Sequence, residues 1–239
     1  MCGRYSIFQI ANTDEIEERF DVTLPESVEP RYNAAPGQQL PVITNDEPDA
    51  VSQLQWGLIP HWADDPEIGN QLINARAETV DEKNSFRGAY QNRRCLVLAD
   101  GFYEWAETGN GKQPYRVVAN NEPFAIAGLW EQWDPADAGG QANLGSFADD
   151  DDSGVLSDEI LETYTIITTE PNEVVGDIHD RMPVVLAPDE EDQWLAGDTS
   201  SGLKGLLDPY DEEMNAYPVS TDVNNPSNDS PQVVVEAET

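Results

Sequence analysis

The sequence predicts a single α+β domain built on a mainly antiparallel, barrel-like β-sheet with short peripheral helices. Three observations carry that expectation. Short β-branched and aromatic runs recur along the chain, among them residues 39–44, 51–56, 123–130 and 162–169, bounded by Gly, Pro, Asn or Asp. Helical stretches are few and brief. No Pro/Gly/Ser-rich linker divides the 239 residues, and with 38% hydrophobic residues they suffice for one large core.

The elements follow in order. Arg4–Ile10 reads as a strand. Thr13 is the expected N-cap of a helix to about Phe20, with Asp14 and Glu15 in its first turn and Ile16 and Phe20 on one face. Residues 30–37, with Pro at both ends and Pro36-Gly37 as a turn, read as loop. Residues 39–44 and 51–56 read as a hairpin around the acidic loop Asn45–Asp49. Trp56–Trp62 is an irregular aromatic segment, Leu72–Thr79 follows it, and Lys83–Gln91 reads as helix. Arg93–Asp100 is a basic start to a continuous apolar run, the pattern of a buried central strand, which Gly101–Trp105 continues up to a turn at Gly109–Gly111. Residues 114–119 and 123–130 read as a strand pair around Asn120–Glu122. Residues 134–159 are rich in Asp, Gly and Ala and poor in large apolar side chains, an acidic surface insertion. Beyond it come a strand at Glu162–Thr169, a short helix at Pro171–Ile178, a strand at Val184–Leu186, a helix at Pro188–Leu195 and another at Ser201–Leu207. Tyr217–Ser220 closes a domain spanning about 2–225. Residues 226–239 are a polar C-terminal segment, with Val233–Val235 as a last edge strand.

Composition narrows function. Lys and Arg number 12 against 47 Asp and Glu, a net charge of −35. The acids run through the whole chain and Lys is scarce, which fits adaptation to a salt-rich cytoplasm where ions screen self-repulsion. That balance opposes nucleic-acid binding in general but leaves room for a local Arg cluster. No apolar run approaches 18 residues, so no membrane span is expected, and nothing at the N-terminus reads as a signal peptide. The 2 cysteines, Cys2 and Cys95, form no disulfide framework, which points to the cytoplasm. With 2 His not at ligand spacing, no metal is expected, nor any other cofactor.

Six places carry chemistry. Met1-Cys2-Gly3-Arg4-Tyr5 sets a cysteine directly after the initiator, and removal of Met1 would leave a 1,2-aminothiol. Such a group condenses with an aldehyde to a Schiff base, and its thiol then closes a thiazolidine; both groups titrate near 8. Taken alone, Cys2 reads first as a small residue tucked into the core, and the motifs that follow reverse that order. Glu104, among aromatics in Gly-Phe-Tyr-Glu-Trp, is a partly desolvated acid/base or a strand-end carboxylate. His179, in Ile-His-Asp-Arg-Met-Pro, is catalytic or structural; His61, between Pro60 and Trp62, reads as structural. Asn74 and Arg76, two apart in an extended segment, share a face and could flank one anion; the alternative is an Arg76–Glu78 surface pair. Trp62 and Trp105 are stacking platforms for unpaired bases or ordinary core aromatics. Arg4, Arg76, Arg87, Arg93, Arg94 and Arg116 hold much of the positive charge.

Met-Cys-Gly-Arg-Tyr, Arg-Tyr-Asn-Ala-Ala-Pro-Gly, Trp-Gly-Leu-Ile-Pro, Asn-Ala-Arg-Ala-Glu-Thr, Asp-Gly-Phe-Tyr-Glu-Trp and Ile-His-Asp-Arg-Met-Pro, in that order and closed by Tyr-Pro-Val-Ser, resemble the SOS response-associated peptidase (SRAP) family of abasic-site processing proteins. The resemblance implies a monomeric sensor of abasic sites in single-stranded DNA, in which Cys2, once terminal, cross-links to the sugar aldehyde. It assigns Asn74 to positioning the amine and sugar, Glu104 to acid/base work and Met1 removal, and His179 to the sugar hydroxyl and to cross-link reversal or strand cleavage. Arg4, Arg76, Arg181, Asn33, Trp62 and Trp105 would contact DNA, and binding would place the protein on the nucleoid. Both lines of reading require the nitrogen and sulfur of Cys2 to face an open, Arg-lined groove. The competing expectations are a cysteine peptidase, which would want a Cys–His pair, and a non-catalytic binding module.

Overall fold

The computed structural model describes residues 2–25, 27–109, 111–137, 159–197 and 202–237, so most of the expected insertion at 134–159 lies outside the described residues. Among the described residues thirteen strands are β1 (Tyr5–Ile7), β2 (Arg31–Ala34), β3 (Gln39–Thr44), β4 (Val51–Trp56), β5 (Asn74–Arg76), β6 (Arg94–Ala99), β7 (Gly101–Thr108), β8 (Gly111–Ala119), β9 (Phe124–Trp133), β10 (Leu161–Thr169), β11 (Met182–Pro183), β12 (Val185–Leu186) and β13 (Met214–Pro218). The α-helices are α1 (Thr13–Phe20), α2 (Asn84–Asn92), α3 (Glu173–Gly176) and α4 (Pro188–Ala196).

Five strands close on themselves. β4 pairs β3, β3 pairs β6, β6 pairs β9, β9 pairs β10, and β10 returns to β4 through a short parallel seam, Thr163↔Gln55 and Tyr164↔Trp56. Closure leaves no free edge in the ring. The apolar run of β6 is buried throughout, as its sequence demands, and fills the barrel between β3 and β9. The interior is tight at β9: a Cβ on Gly128 would lie 2.8 Å from Cys95 Sγ and 2.9 Å from Val97 Cγ2. The Trp-Gly-Leu-Ile-Pro segment leaves β4 at Gly57, whose φ of 129° and 2.7 Å clearance from the Gly69 carbonyl admit no side chain.

A second, antiparallel sheet, in the order β13-β8-β7-β1-β2, lies beside the barrel. A buried carboxylate sets its boundary. Asp100 accepts from Ser6 Oγ (2.6 Å), Gln9 N (2.8 Å) and Arg116 Nη2 (2.9 Å), and its own N–H donates to Ser6 O (2.8 Å). This knot ends the apolar run, so Gly101–Trp105 does not continue β6 but starts β7 in the other sheet. It also cuts the first expected strand at Ile7 and turns Gln9–Ala11 into a 3-10 helix.

The remaining differences have local causes. Asn12, not Thr13, precedes α1, and its side chain meets Glu15 (3.1 Å) rather than a backbone N–H. Residues 31–34 form a strand, not a loop, because β2 pairs β1 while the Asp229 carboxylate caps Tyr32 N (2.6 Å) and Asn33 N (2.9 Å). β8 and β9 do not pair with each other. Left-handed Asn120 and Asn121 carry the chain from one sheet to the other, where β8 pairs β7 and β13 and β9 joins the barrel. Pro231–Val234 is a 3-10 helix that buries Val233, and the expected edge strand reduces to one bridge, Val219↔Glu236. No helix among the described residues is long and apolar enough to cross a membrane.

Candidate active site at the N-terminal cysteine

Cys2 precedes β1, and β5, paired in parallel with β10 (Asn74↔Ile166), brings Asn74 to it. Asn74 Nδ2 donates to the Cys2 carbonyl at 2.8 Å, while its Oδ1 is buried with no hydrogen-bond partner among the described residues. Cys2 itself is fully buried, its Sγ 3.9 Å from the Arg4 carbonyl. Burial, followed by the negative charge of Glu104, pushes its thiol far above the ordinary range. The expectation that the sulfur faces an open groove is therefore corrected: in the chain that retains Met1 it is packed into the core.

Glu104 sits on β7 opposite Tyr115 of β8, 1% exposed. Desolvation, assisted by Asp180, raises its carboxyl to about 7. Half of such groups carry a proton near neutrality, the condition for moving protons in either direction. His179 follows α3, its N–H bonded to Val175 O (2.8 Å). Its Nδ1 lies 4.0 Å from Glu104 Oε2 and 3.1 Å from Asp180 Oδ1, and accepts the Arg181 N–H at 3.1 Å. The same Nδ1 lies 3.3 Å from the Arg181 carbonyl, so the Arg181 backbone and the Asp180 carboxylate together hold the ring by this nitrogen. Burial first, then the positive charge of the chain's N-terminus and, least of the three, the ammonium of Lys112, lower the proton affinity of His179, against the opposing pull of Arg181 O and Asp180. Glu104, Trp105, Lys112, His179 and Asn224 line a cavity of about 460 Å³. The Trp105 indole N–H donates to Asn224 Oδ1 at 2.7 Å, which fixes the ring at the cavity wall.

Cys2, Asn74, Glu104 and His179 thus gather as the sequence implied, and Trp105 joins them. The other expected DNA contacts do not gather in the same way. Asn33 is fully buried: it accepts from Arg4 (2.7 Å) and donates to the carbonyls of Val223, Asn225 and Asn228 (3.2, 3.0 and 3.0 Å). It braces the C-terminal segment and offers no face to DNA. Arg4 also donates to Val223 O (2.6 Å), so it acts largely as a strut. The Arg181 guanidinium is held by Glu78 and by Thr168 O (2.5 Å); Glu78 thus pairs with Arg181 rather than in the alternative Arg76–Glu78 contact, and Arg76 is exposed. Trp62 is 49% exposed but does not line the cavity.

The groove is not Arg-lined, because most arginines are spent inside the protein. Arg93 meets the buried Glu131 (2.8 Å), Arg116 meets Asp100, Arg19 meets Glu191 (2.7 Å) and Arg31 meets Asp229 (3.2 Å). Arg94 donates to Tyr90 O, Gln91 O, Trp194 O, Leu195 O and Gly197 O, the C-terminal carbonyls of α2 and α4. His61 also reaches Glu131 (3.2 Å). Sequence reasoning missed Lys112 and Asn224. The hairpin register Glu107↔Lys112 was the available signal for the first; Asn224 had none beyond its place just after Tyr-Pro-Val-Ser. Among the described residues no cluster of three or more His, Cys, Asp and Glu is arranged to hold a metal ion.

A closed barrel with a flanking antiparallel sheet, carrying Cys2 beside a carboxylate, an imidazole and an amide, defines a single-domain α+β protein. Residues 1–226 match the description "SOS response associated peptidase (SRAP)", and the chain belongs to that family. It is 42% identical to the abasic site processing protein YoqW of Bacillus subtilis over 98% of this chain and 99% of that one. It is 34% identical to the abasic site processing protein HMCES of Gallus gallus, over 87% and 67% respectively. A crystal structure of a protein from Bacteroides thetaiotaomicron shares the fold with a TM-score of 0.79 at 28% identity, covering 99% of this chain and 100% of that one.

Proposed function

We propose that this protein processes abasic sites by capturing them covalently in single-stranded DNA. The relatives named for abasic-site processing support the substrate, and the Asn74–Cys2 contact beside Glu104 and His179 is the observation that carries the chemistry. Removal of Met1 frees the Cys2 amine, and Glu104 serves that step as well. The amine adds to the aldehyde of the ring-opened sugar, and the carbinolamine loses its hydroxyl as water after protonation by Glu104 or His179. The Cys2 sulfur then bonds to the imine carbon, its proton passing by way of Glu104 to the nitrogen, and a thiazolidine results. The buried Asn74 Oδ1 is an acceptor suited to orienting the new amine or a sugar hydroxyl. His179 acts on the sugar oxygens, in reversal of the cross-link or in strand cleavage. Trp105 stacks beside the lesion, and Arg76 contributes a phosphate contact. The protein works as a monomer in the cytoplasm, on the nucleoid when bound, and its acid excess suits a salt-rich interior where ions screen its repulsion from DNA.

A peptidase acting on other proteins is the weaker reading. It needs a standing thiolate, and burial holds the Cys2 thiol protonated. The test is a denaturation-resistant adduct between the protein and an oligonucleotide bearing an abasic site. Wild type should form it, with the mass of the Met1-free chain plus the oligonucleotide less one water, and Cys2→Ala should not. An undiminished adduct in Cys2→Ala would refute the proposal.

A further inference from the structure

Nucleic acid must reach the cavity across a surface of net charge −35, and the arginines that would be expected to draw it in are mostly committed to internal partners. One cation does line the cavity. Lys112 opens β8, directly across the hairpin from Glu107 of β7, and shares the cavity wall with Glu104, Trp105, His179 and Asn224. Its ammonium pairs with Glu107 at 3.2 Å, with the two side chains 64% and 76% exposed. An ion pair so open to water is held weakly and exchanges readily for another anion. A lysine ammonium is a compact point charge on a flexible stem, suited to a phosphate that arrives rather than to a fixed bidentate seat. Lys112 is also close enough to His179 for its charge to weigh on the ring, a minor effect beside burial.

We propose that Lys112 is the phosphate-docking residue of the cavity: it exchanges Glu107 for a phosphodiester of the bound single strand next to the lesion. The proposal rests on the single-strand reading above and adds to it a named contact and a built-in competitor, since Glu107 occupies the ammonium until DNA displaces it. Both side chains are exposed on a hairpin, so substitution there leaves the buried core alone.

The experiment measures Kd by fluorescence anisotropy for a single-stranded oligonucleotide with one tetrahydrofuran abasic analogue. This probe carries no aldehyde and cannot cross-link. Titrations run from 0.1 to 1 M KCl for wild type, Lys112→Gln, Lys112→Arg, Glu107→Gln and Glu122→Gln. One phosphate contact on a single strand contributes about 0.7 to the slope of log Kd against log salt, or about fivefold in affinity across a tenfold change in salt. Lys112→Gln should lose that increment relative to wild type, and Lys112→Arg should restore it. Glu107→Gln should bind more tightly than Glu122→Gln, which removes an equal exposed charge on the turn at the far end of β8. An unchanged slope in Lys112→Gln, no restoration by Arg, or equal gains in the two Gln variants would each overturn the proposal. A parallel incubation with an aldehyde-bearing abasic oligonucleotide separates the two readings. If wild type binds with a Lys112-dependent slope but forms no adduct, covalent capture fails and the docking residue stands. If it forms the adduct and Lys112→Gln binds as wild type does, the reverse holds.

Discussion

Replacing Glu104 by Gln removes the buried charge while keeping the side-chain shape, and its effect on stability should depend on pH in a defined way. The carboxyl titrates at about 7 in the folded chain against 4.5 for the free group. Its folded value is raised, so the stabilising contribution is present below pH 4.5 and is lost as pH climbs through 7. The difference of about 2.5 units is worth roughly 3 kcal/mol at 1.36 kcal/mol per unit. At pH 4 wild type and Glu104→Gln should therefore unfold alike apart from a constant offset. By pH 8 the variant should have gained about 3 kcal/mol on wild type, on the order of 6–12 °C in melting temperature for a chain of this size. Comparing two chains that differ by one group cancels the pH response of the other acids. The assay is urea or thermal unfolding of both proteins at half-unit steps from pH 4 to 8. A difference that stays flat across that range would refute the argument that burial controls this carboxyl. The same variant should form adduct far more slowly, since an amide moves no protons.

Two further substitutions probe the frame around the site. Gly128→Ala forces a methyl against Cys95 and Val97 inside the barrel and should destabilise the protein by roughly 1–3 kcal/mol; an unshifted urea midpoint would mean that the barrel interior has slack. Asn33→Ala removes the acceptor of Arg4 and the amide shared by three carbonyls of the C-terminal segment; Arg4 and the Asn228 N–H still serve those of Val223 and Asn225, so the loss falls on the Asn228 carbonyl and should cost about 1–3 kcal/mol. Amide hydrogen exchange over residues 223–229 should accelerate while the barrel strands stay protected, and unchanged exchange there would contradict the bracing role.

Much of the fold was legible because its signals are local. The continuous apolar run of β6, the hairpin of β3 and β4, and the polar breaks around β10 are written in adjacent residues. The sheet assignment was not, because it hangs on Asp100. A lone aspartate after an apolar run gives no hint that it will gather Ser6 and Gln9 from the N-terminal segment and Arg116 from β8. β2 was hidden for a similar reason: its bounding prolines signal loop, and its outer edge is satisfied by Asp229, nearly two hundred residues away. At the site, the grouping of Cys2, Asn74, Glu104 and His179 followed from the resemblance of their motifs, since composition alone gave each a competing structural reading. The arginines misled because a count of charges does not reveal how many are consumed by buried carboxylates and helix ends.

The barrel's closure fixes the order in which the chain can become complete. Its last member, β10, lies beyond residues 134–160, and both of its seams, to β4 and to β9, depend on it. While synthesis is short of Leu161, β4 and β9 are covered by β3 and β6 on one side only, and the edge of each that will meet β10 stands bare, open to any other extended peptide. Lengthening the stretch between β9 and β10 scarcely alters the final equilibrium, because ring-closure entropy grows only logarithmically. It does prolong the interval on the ribosome during which the nascent half-barrel must be shielded from its neighbours.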